Sequence, residues 1–166
     1  MAKVETALIV GAGLGLSASL ARKFSSEGVK VALAARNIEK LDKLVAETSA
    51  KAYTCDATDP EAVKELFSNV TDDLNEPDIV VYNASNRVRG PITDIDPDAV
   101  LTAIKITCYG GFLVAQQAAK QMIRRGSGAI FFTGASAGVK GYPNSATFAM
   151  GKFGLRGLAQ SMAREL

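Results

Sequence analysis

The chain has 166 residues, 48% of them apolar, and a formal net charge of +2 from 19 Lys and Arg against 17 Asp and Glu. That length fits one domain with a real core, and the small, scattered charge argues against nucleic acid and membrane as partners. There is no His, and Cys55 and Cys108 lack metal-ligand spacing, so no metal site and no His-based triad is expected, and a reducing cytoplasm is the expected compartment.

Taken in chain order, Thr6–Val10 reads as a first strand and Leu14–Glu27 as a helix with Leu16, Leu20, Ala21 and Phe24 on one face, closed by Gly28. The apolar stretch Ala7–Ala21 behind Lys3 mimics a targeting signal, but Glu5 and three glycines argue against one. The matches Asn69-Val-Thr71 and Asn83-Ala-Ser85 are accordingly read as chance, and no transmembrane-length run is expected. Val29–Ala35 is the second strand. Asn37 caps a helix through Ser49 with Ile38, Leu41, Leu44 and Val45 inward, and Ala50–Cys55 is a short third strand. Asp59-Pro60 opens a helix carrying Val63, Leu66, Phe67 and Val70 inward, and Asp78–Tyr82 is a fourth, continuously apolar strand. After a polar loop, Pro97-Asp98 starts a long helix to Arg125, Ala129–Thr133 is a fifth strand, and a last helix begins near Ser145. Strands alternating with helices predict βαβ units: an α/β fold with a doubly wound parallel sheet and helices on both faces.

Between the first strand and its helix lies Val10-Gly11-Ala12-Gly13-Leu14-Gly15-Leu16-Ser17-Ala18. Glycines at a strand-to-helix turn bring backbone N–H groups and the positive helix end to a pyrophosphate, and Gly13-x-Gly15-x-x-Ala18 fits the dinucleotide fingerprint. Gly11, Gly13, Gly15 and Leu16 are the candidates there. The second strand ends Ala34-Ala35-Arg36, with no acid for a ribose 2′-hydroxyl and an Arg suited to a 2′-phosphate. NADP(H) is therefore expected over NAD(H).

The chain resembles the short-chain dehydrogenase/reductase family over nearly its whole length. Gly11 and Gly15 match two of the family's three loop glycines, with Ser17 where the third would stand. The resemblance implies an adenine contact for Asp56, beside Ala57, in Cys55-Asp56-Ala57-Thr58-Asp59; the local reading is that Asp56 caps a turn. It also places Asn83 and Ala84 of Tyr82-Asn83-Ala84-Ser85 along the cofactor. Of the family's catalytic Asn, Ser, Tyr and Lys, only Lys152 is kept. Phe148 stands for the Tyr, Ala135 for the Ser (Ser136 follows one place late) and Thr107 for the Asn. The Phe with its nearby Lys resembles an atypical branch of the family.

The family implies an oxidoreductase that moves hydride between NADP(H) and a small carbonyl or alcohol substrate. Lys152 can still reach ribose hydroxyls, but Phe148 and Ala135 can neither donate a proton nor orient a carbonyl. Substitutes for the proton are Ser136, Tyr142, or a water held by Lys152 and Thr107. The competing expectation is an inactive NADP(H)-binding or redox-sensing module acting through a partner or an oligomer. The family also implies a homodimer or homotetramer through the helices at 98–125 and 145–166. Gly134-x-Ser136-x-Gly138 spells a hydrolase nucleophile elbow as well, but its triad needs a His that the chain lacks. Family members continue into further strands absent from this sequence, so a single cofactor domain at 1–166, truncated at its C-terminal side, is expected.

Overall fold

The computed structural model describes residues 4–166, so Lys3 of the signal-like stretch lies outside the described residues. Five short apolar runs become strands: β1 Thr6–Val10, β2 Lys30–Ala35, β3 Lys51–Thr54, β4 Ile79–Tyr82 and β5 Ala129–Phe132. They form one sheet in the order β3-β2-β1-β4-β5, every neighbouring pair parallel. The helices are α1 Leu16–Ser26, α2 Asp42–Thr48, α3 Pro60–Leu74, α4 Pro97–Ile104, α5 Gly110–Arg125 and α6 Ala146–Glu165.

The two-residue period of the strands sorts their side chains into two cores. Leu8, Val10, Ala34, Val80 and Tyr82 pack with Val63, Phe67 and Val70 of α3, Val114 and Ala118 of α5, and Leu155 of α6. Ile9, Val31, Leu33 and Val81 face the other way, against Ala18 and Ala21 of α1 and Leu44 of α2. This is the Rossmann-like doubly wound arrangement that the alternation of elements leads one to expect.

Two Asp-Pro pairs start helices as their chemistry dictates. Asp59 accepts from the N–H groups of Glu61 and Ala62 ahead of α3, and Asp96 from those of Asp98 and Ala99 ahead of α4, each with Pro at the first helical position. Gly28 follows α1 at φ 77°, where an L side chain is disfavoured.

The structure differs from the sequence reading in four main places. α1 begins at Leu16 rather than Leu14, because Leu14 and Gly15 stay in the turn and Leu14 is 72% exposed. The helix expected from Asn37 is instead a 3₁₀ turn, Glu39–Leu41, leading into α2; Asn37 Oδ1 accepts from Glu39 N–H at 3.0 Å. The long helix to Arg125 is interrupted by one π-helical turn, Lys105–Tyr109, between α4 and α5. Its 29 residues, Pro97–Arg125, are apolar and long enough to cross a membrane by length and composition, against the expectation of no such run. Packing accounts for part of this: Leu113, Val114, Ala115, Ala118 and Met122 are buried in the fold, whereas Leu101, Tyr109, Phe112 and Ile123 are exposed.

β5 is an edge strand, and Phe131 on it is 53% exposed. Beside it α5, β5 and α6 frame an apolar groove of about 540 Å³ lined by Met122, Ile130, Phe132 and Met162.

Candidate cofactor groove and catalytic face

The strand order reverses between β1 and β4, and in open α/β sheets the crevice outside the carboxyl ends at such a point takes ligands. A groove of about 310 Å³ lies there. Gly11, Arg36, Asp56, Ala57, Asn83 and Ala84 line it, all of them expected from sequence. Gly13, Gly15, Leu16 and Lys152 do not. Leu16 is 53% exposed and starts α1 at the groove's rim. Lys40 also lines the groove and went unread; its spacing in Arg36-x-x-x-Lys40 is the signal that could have paired it with Arg36.

The loop glycines divide by what holds them. Gly11 sits at φ 83°, and a methyl on it would fall 2.6 Å from Ala84 Cα, so the fold itself requires glycine. At Gly13 and Gly15 a Cβ would meet nothing within 4 Å. No packing explains these two, which lie in the turn just ahead of α1. A cradle of that kind fits a pyrophosphate drawn up to backbone N–H groups.

At the far end of the groove, Thr58 donates to Asp56 Oδ1 from both its N–H and its hydroxyl, each at 2.9 Å. The Thr58 N–H, and more weakly the Thr58 hydroxyl and the Arg36 charge, hold the Asp56 carboxyl below its usual range, against some burial. Asp56 therefore does cap a turn. Cys55 beside it is pushed up to about 11, chiefly by burial, which leaves an unreactive thiol.

A chain of polar contacts ties the glycine loop to Lys152. Ser17 is fully buried; its hydroxyl donates to Gly11 O at 3.2 Å and accepts from Asn83 Nδ2 at 2.8 Å. Thr133 Oγ1 donates to Asn83 Oδ1 at 2.8 Å, and Lys152 Nζ donates to Thr133 O at 2.7 Å. Ser17, where the family pattern would have glycine, thus anchors the loop to β4 and through it to β5.

Phe148 and Lys152 share one face of α6, and the Lys152 ammonium lies 5.7 Å from the Phe148 ring centroid. Lys152 is 4% exposed, and burial holds its pKa below the ordinary lysine value. One of its three donors is used on Thr133 O, leaving two for a ligand. Thr107 occupies the π turn; its hydroxyl accepts from Asn86 N–H at 3.0 Å and donates to Asn86 O at 3.4 Å, so its one proton is already engaged. Gly151 lets α6 close on this turn, since a methyl there would fall 2.8 Å from Thr107 Cβ. Underneath, the buried Tyr82 hydroxyl donates to Ile106 O inside the same turn. Ala135 precedes a 3₁₀ turn that Ser136 starts, not the α-helix a nucleophile elbow requires. Tyr142 is exposed, its ring 5.1 Å from Lys140 Nζ. A residue missed in the sequence sits here too: Arg87, whose guanidinium carbon lies 4.7 Å from the Phe148 ring centroid.

The family model described as short chain dehydrogenase matches residues 5–166. The chain belongs to the short-chain dehydrogenase family. A short-chain dehydrogenase from Rhodopseudomonas palustris is 36% identical and superposes with a TM-score of 0.90, over 98% of this chain and 78% of that one. A variant of actinorhodin polyketide ketoreductase with NADPH gives a TM-score of 0.93 at 27% identity, over 99% of this chain and 67% of that one. Among curated family members, the 3-oxoacyl-[acyl-carrier-protein] reductase MabA of Mycobacterium avium is 29% identical over 162 residues. The chain spans 61% of that reductase's length.

Proposed function

We propose that this chain is the cofactor-binding part of an NADP(H)-dependent short-chain dehydrogenase that interconverts a carbonyl compound and its alcohol. The observation that carries this is the groove at the sheet's switch point, lined by Gly11 and by Arg36 and Lys40, with the open Gly13 and Gly15 in the same strand-to-helix turn outside its lining. Arg36 and Lys40 offer two cations to a 2′-phosphate, which favours NADP(H) over NAD(H), and a likeness to a ketoreductase solved with NADPH agrees. The cofactor, when bound, supplies or accepts the hydride. Gly13 and Gly15 would admit the pyrophosphate, Asp56 would stand at the adenine side, and Asn83 and Ala84 would border the cofactor. Lys152 would offer remaining donors to ribose hydroxyls, with the Phe148 ring beside it.

The proton is the weak point. Phe148 and Ala135 carry none, and the Thr107 hydroxyl already makes a long contact to Asn86 O, so a relaying water would share the Lys152 donors with the ribose. That same observation favours a second reading: an inactive NADP(H)-binding module that works through a partner or a second copy. The exposed Met150 and Phe153 on α6 and Tyr109 and Phe112 at the π turn and α5 would suit such an oligomer. Two free cysteines fit a reducing, cytoplasmic setting.

Titration with NADPH and with NADH, followed by nicotinamide fluorescence, tests the reading. Tighter NADPH binding is expected, and Arg36→Asp should remove that preference. Binding of neither, or equal losses for both in Arg36→Asp, would overturn it.

A further inference from the structure

Arg87 joins no ion pair among the described residues. Its guanidinium is nonetheless held in place, 4.7 Å from the Phe148 ring centroid, with Lys152 Nζ 5.7 Å from the same centroid. Two cations therefore meet at one ring. Nearby in sequence, Asp94, Asp96 and Asp98 follow Arg87 and Arg89, but none of them pairs with Arg87, and Ala99–Arg164 contains eight Lys and Arg and no Asp or Glu. The chain's small net charge hides this, because nearly all its acids lie before Ala99. The loop bearing Arg87 also meets the basic loop after β5, with Gly90 N–H donating to Asn144 O at 3.4 Å. Arg87 and Lys140 are both exposed on these two loops. Arg87 does not line the groove around Arg36 and Asp56, which ends at Ser85 and Ile106 on this side.

We propose that Arg87 anchors the anionic end of the substrate, and that the substrate class is a small carbonyl compound bearing a carboxylate, an oxo acid or its hydroxy-acid partner. The proposal rests on the cofactor reading above and adds to it the identity of the substrate's far end. A guanidinium stacked on an aromatic ring keeps its planar fork free and pre-oriented, which matches a carboxylate bidentately. Lys152 is bonded to Thr133 O and assigned to the ribose side, so of the two cations at the Phe148 ring Arg87 is the one left for substrate. The arrangement also bears on the replaced Tyr. A Phe at position 148 provides the flat face on which Arg87 stacks, and the charge at the site's mouth then selects substrates with an anion.

The test uses benzoylformate and its methyl ester, which share a carbonyl and differ by the charge, titrated calorimetrically into the chain with and without NADPH. The expected result is tighter binding of the acid than of the ester by about tenfold or more, a preference abolished in Arg87→Gln and partly kept in Arg87→Lys. Arg87 is exposed, so these variants should fold as the parent does, checked by circular dichroism. Equal affinity for acid and ester, no binding of either, or an unchanged preference in Arg87→Gln would overturn the proposal. So would an Arg87→Gln variant that loses NADPH affinity while keeping the preference, since Arg87 would then serve the cofactor phosphates. Failure of NADPH to bind strikes the cofactor reading alone, because the cofactor-free titration still decides the role of Arg87.

Discussion

The glycine loop allows stability and cofactor binding to be pulled apart with two single substitutions. In Gly11→Ala, an L residue is forced to φ 83° and its methyl driven to 2.6 Å from Ala84 Cα. The left-handed backbone costs about 1–2 kcal/mol. The overlap is with main chain rather than a flexible side-chain tip, so β1 or the segment after β4 must shift, adding about 1–3 kcal/mol. A total of about 2–5 kcal/mol is a large part of a small domain's stability and should appear as a lowered urea midpoint. In Gly13→Ala the methyl meets nothing within 4 Å and the backbone is not left-handed. Its unfolding free energy from urea titration should stay within about 0.5 kcal/mol of the parent's. NADPH affinity should nevertheless fall about tenfold or more, as the methyl pushes the pyrophosphate off its N–H donors. The reasoning fails if Gly13→Ala binds NADPH like the parent, or if Gly11→Ala is as stable as the parent.

Three further outcomes follow from the catalytic face. Restoring the proton donor and the carbonyl-orienting hydroxyl in Phe148→Tyr with Ala135→Ser should raise NADPH-dependent reduction across a carbonyl panel by about 10²-fold or more; no gain on any substrate would refute a missing-donor account. Lys152 has a folded pKa held below its ordinary 10.5 by burial, so the unfolded chain binds more protons and stability rises with pH between the lowered value and 10.5. Denaturant unfolding at stepped pH should show that rise in the parent and a flatter profile in Lys152→Met; parallel profiles would rule out a destabilised ammonium. Tyr82→Phe removes the hydroxyl through which the buried Tyr82 donates to the part-buried Ile106 carbonyl in the π turn, which should cost about 1–3 kcal/mol by urea unfolding. A loss below about 0.5 kcal/mol would mean the turn holds itself.

Much of the groove was legible in the sequence because its determinants are local. A strand-to-helix turn rich in glycine marks the α1 end, and a second strand ending in Arg36 rather than an acid marks the other. Six of the expected residues then line the groove together, because parallel strands deliver all their carboxyl ends to one edge. Arg87 was not legible. It sits in an irregular loop, and its stacking on Phe148 crosses 61 positions of sequence. The roles of Ser17 and Tyr82 were hidden for a similar reason, since a hydroxyl in a list of residues gives no hint of the distant oxygen or nitrogen it meets.

The sequence by itself determined the order and type of the elements, the helix starts at Pro60 and Pro97, and the parallel sheet, since each depends on residue identity or on short-range periodicity. Only the tertiary structure decided which glycines the fold needs, because Gly11 is constrained by Ala84 across the sheet while Gly13 faces open space. It also decided that one π turn breaks the long helix and that Thr107 spends its proton on Asn86. The gathering of Arg87 and Lys152 at one phenylalanine was decided there as well. Each of these is a meeting of atoms far apart in the chain, and their distances are fixed by packing rather than by any local pattern.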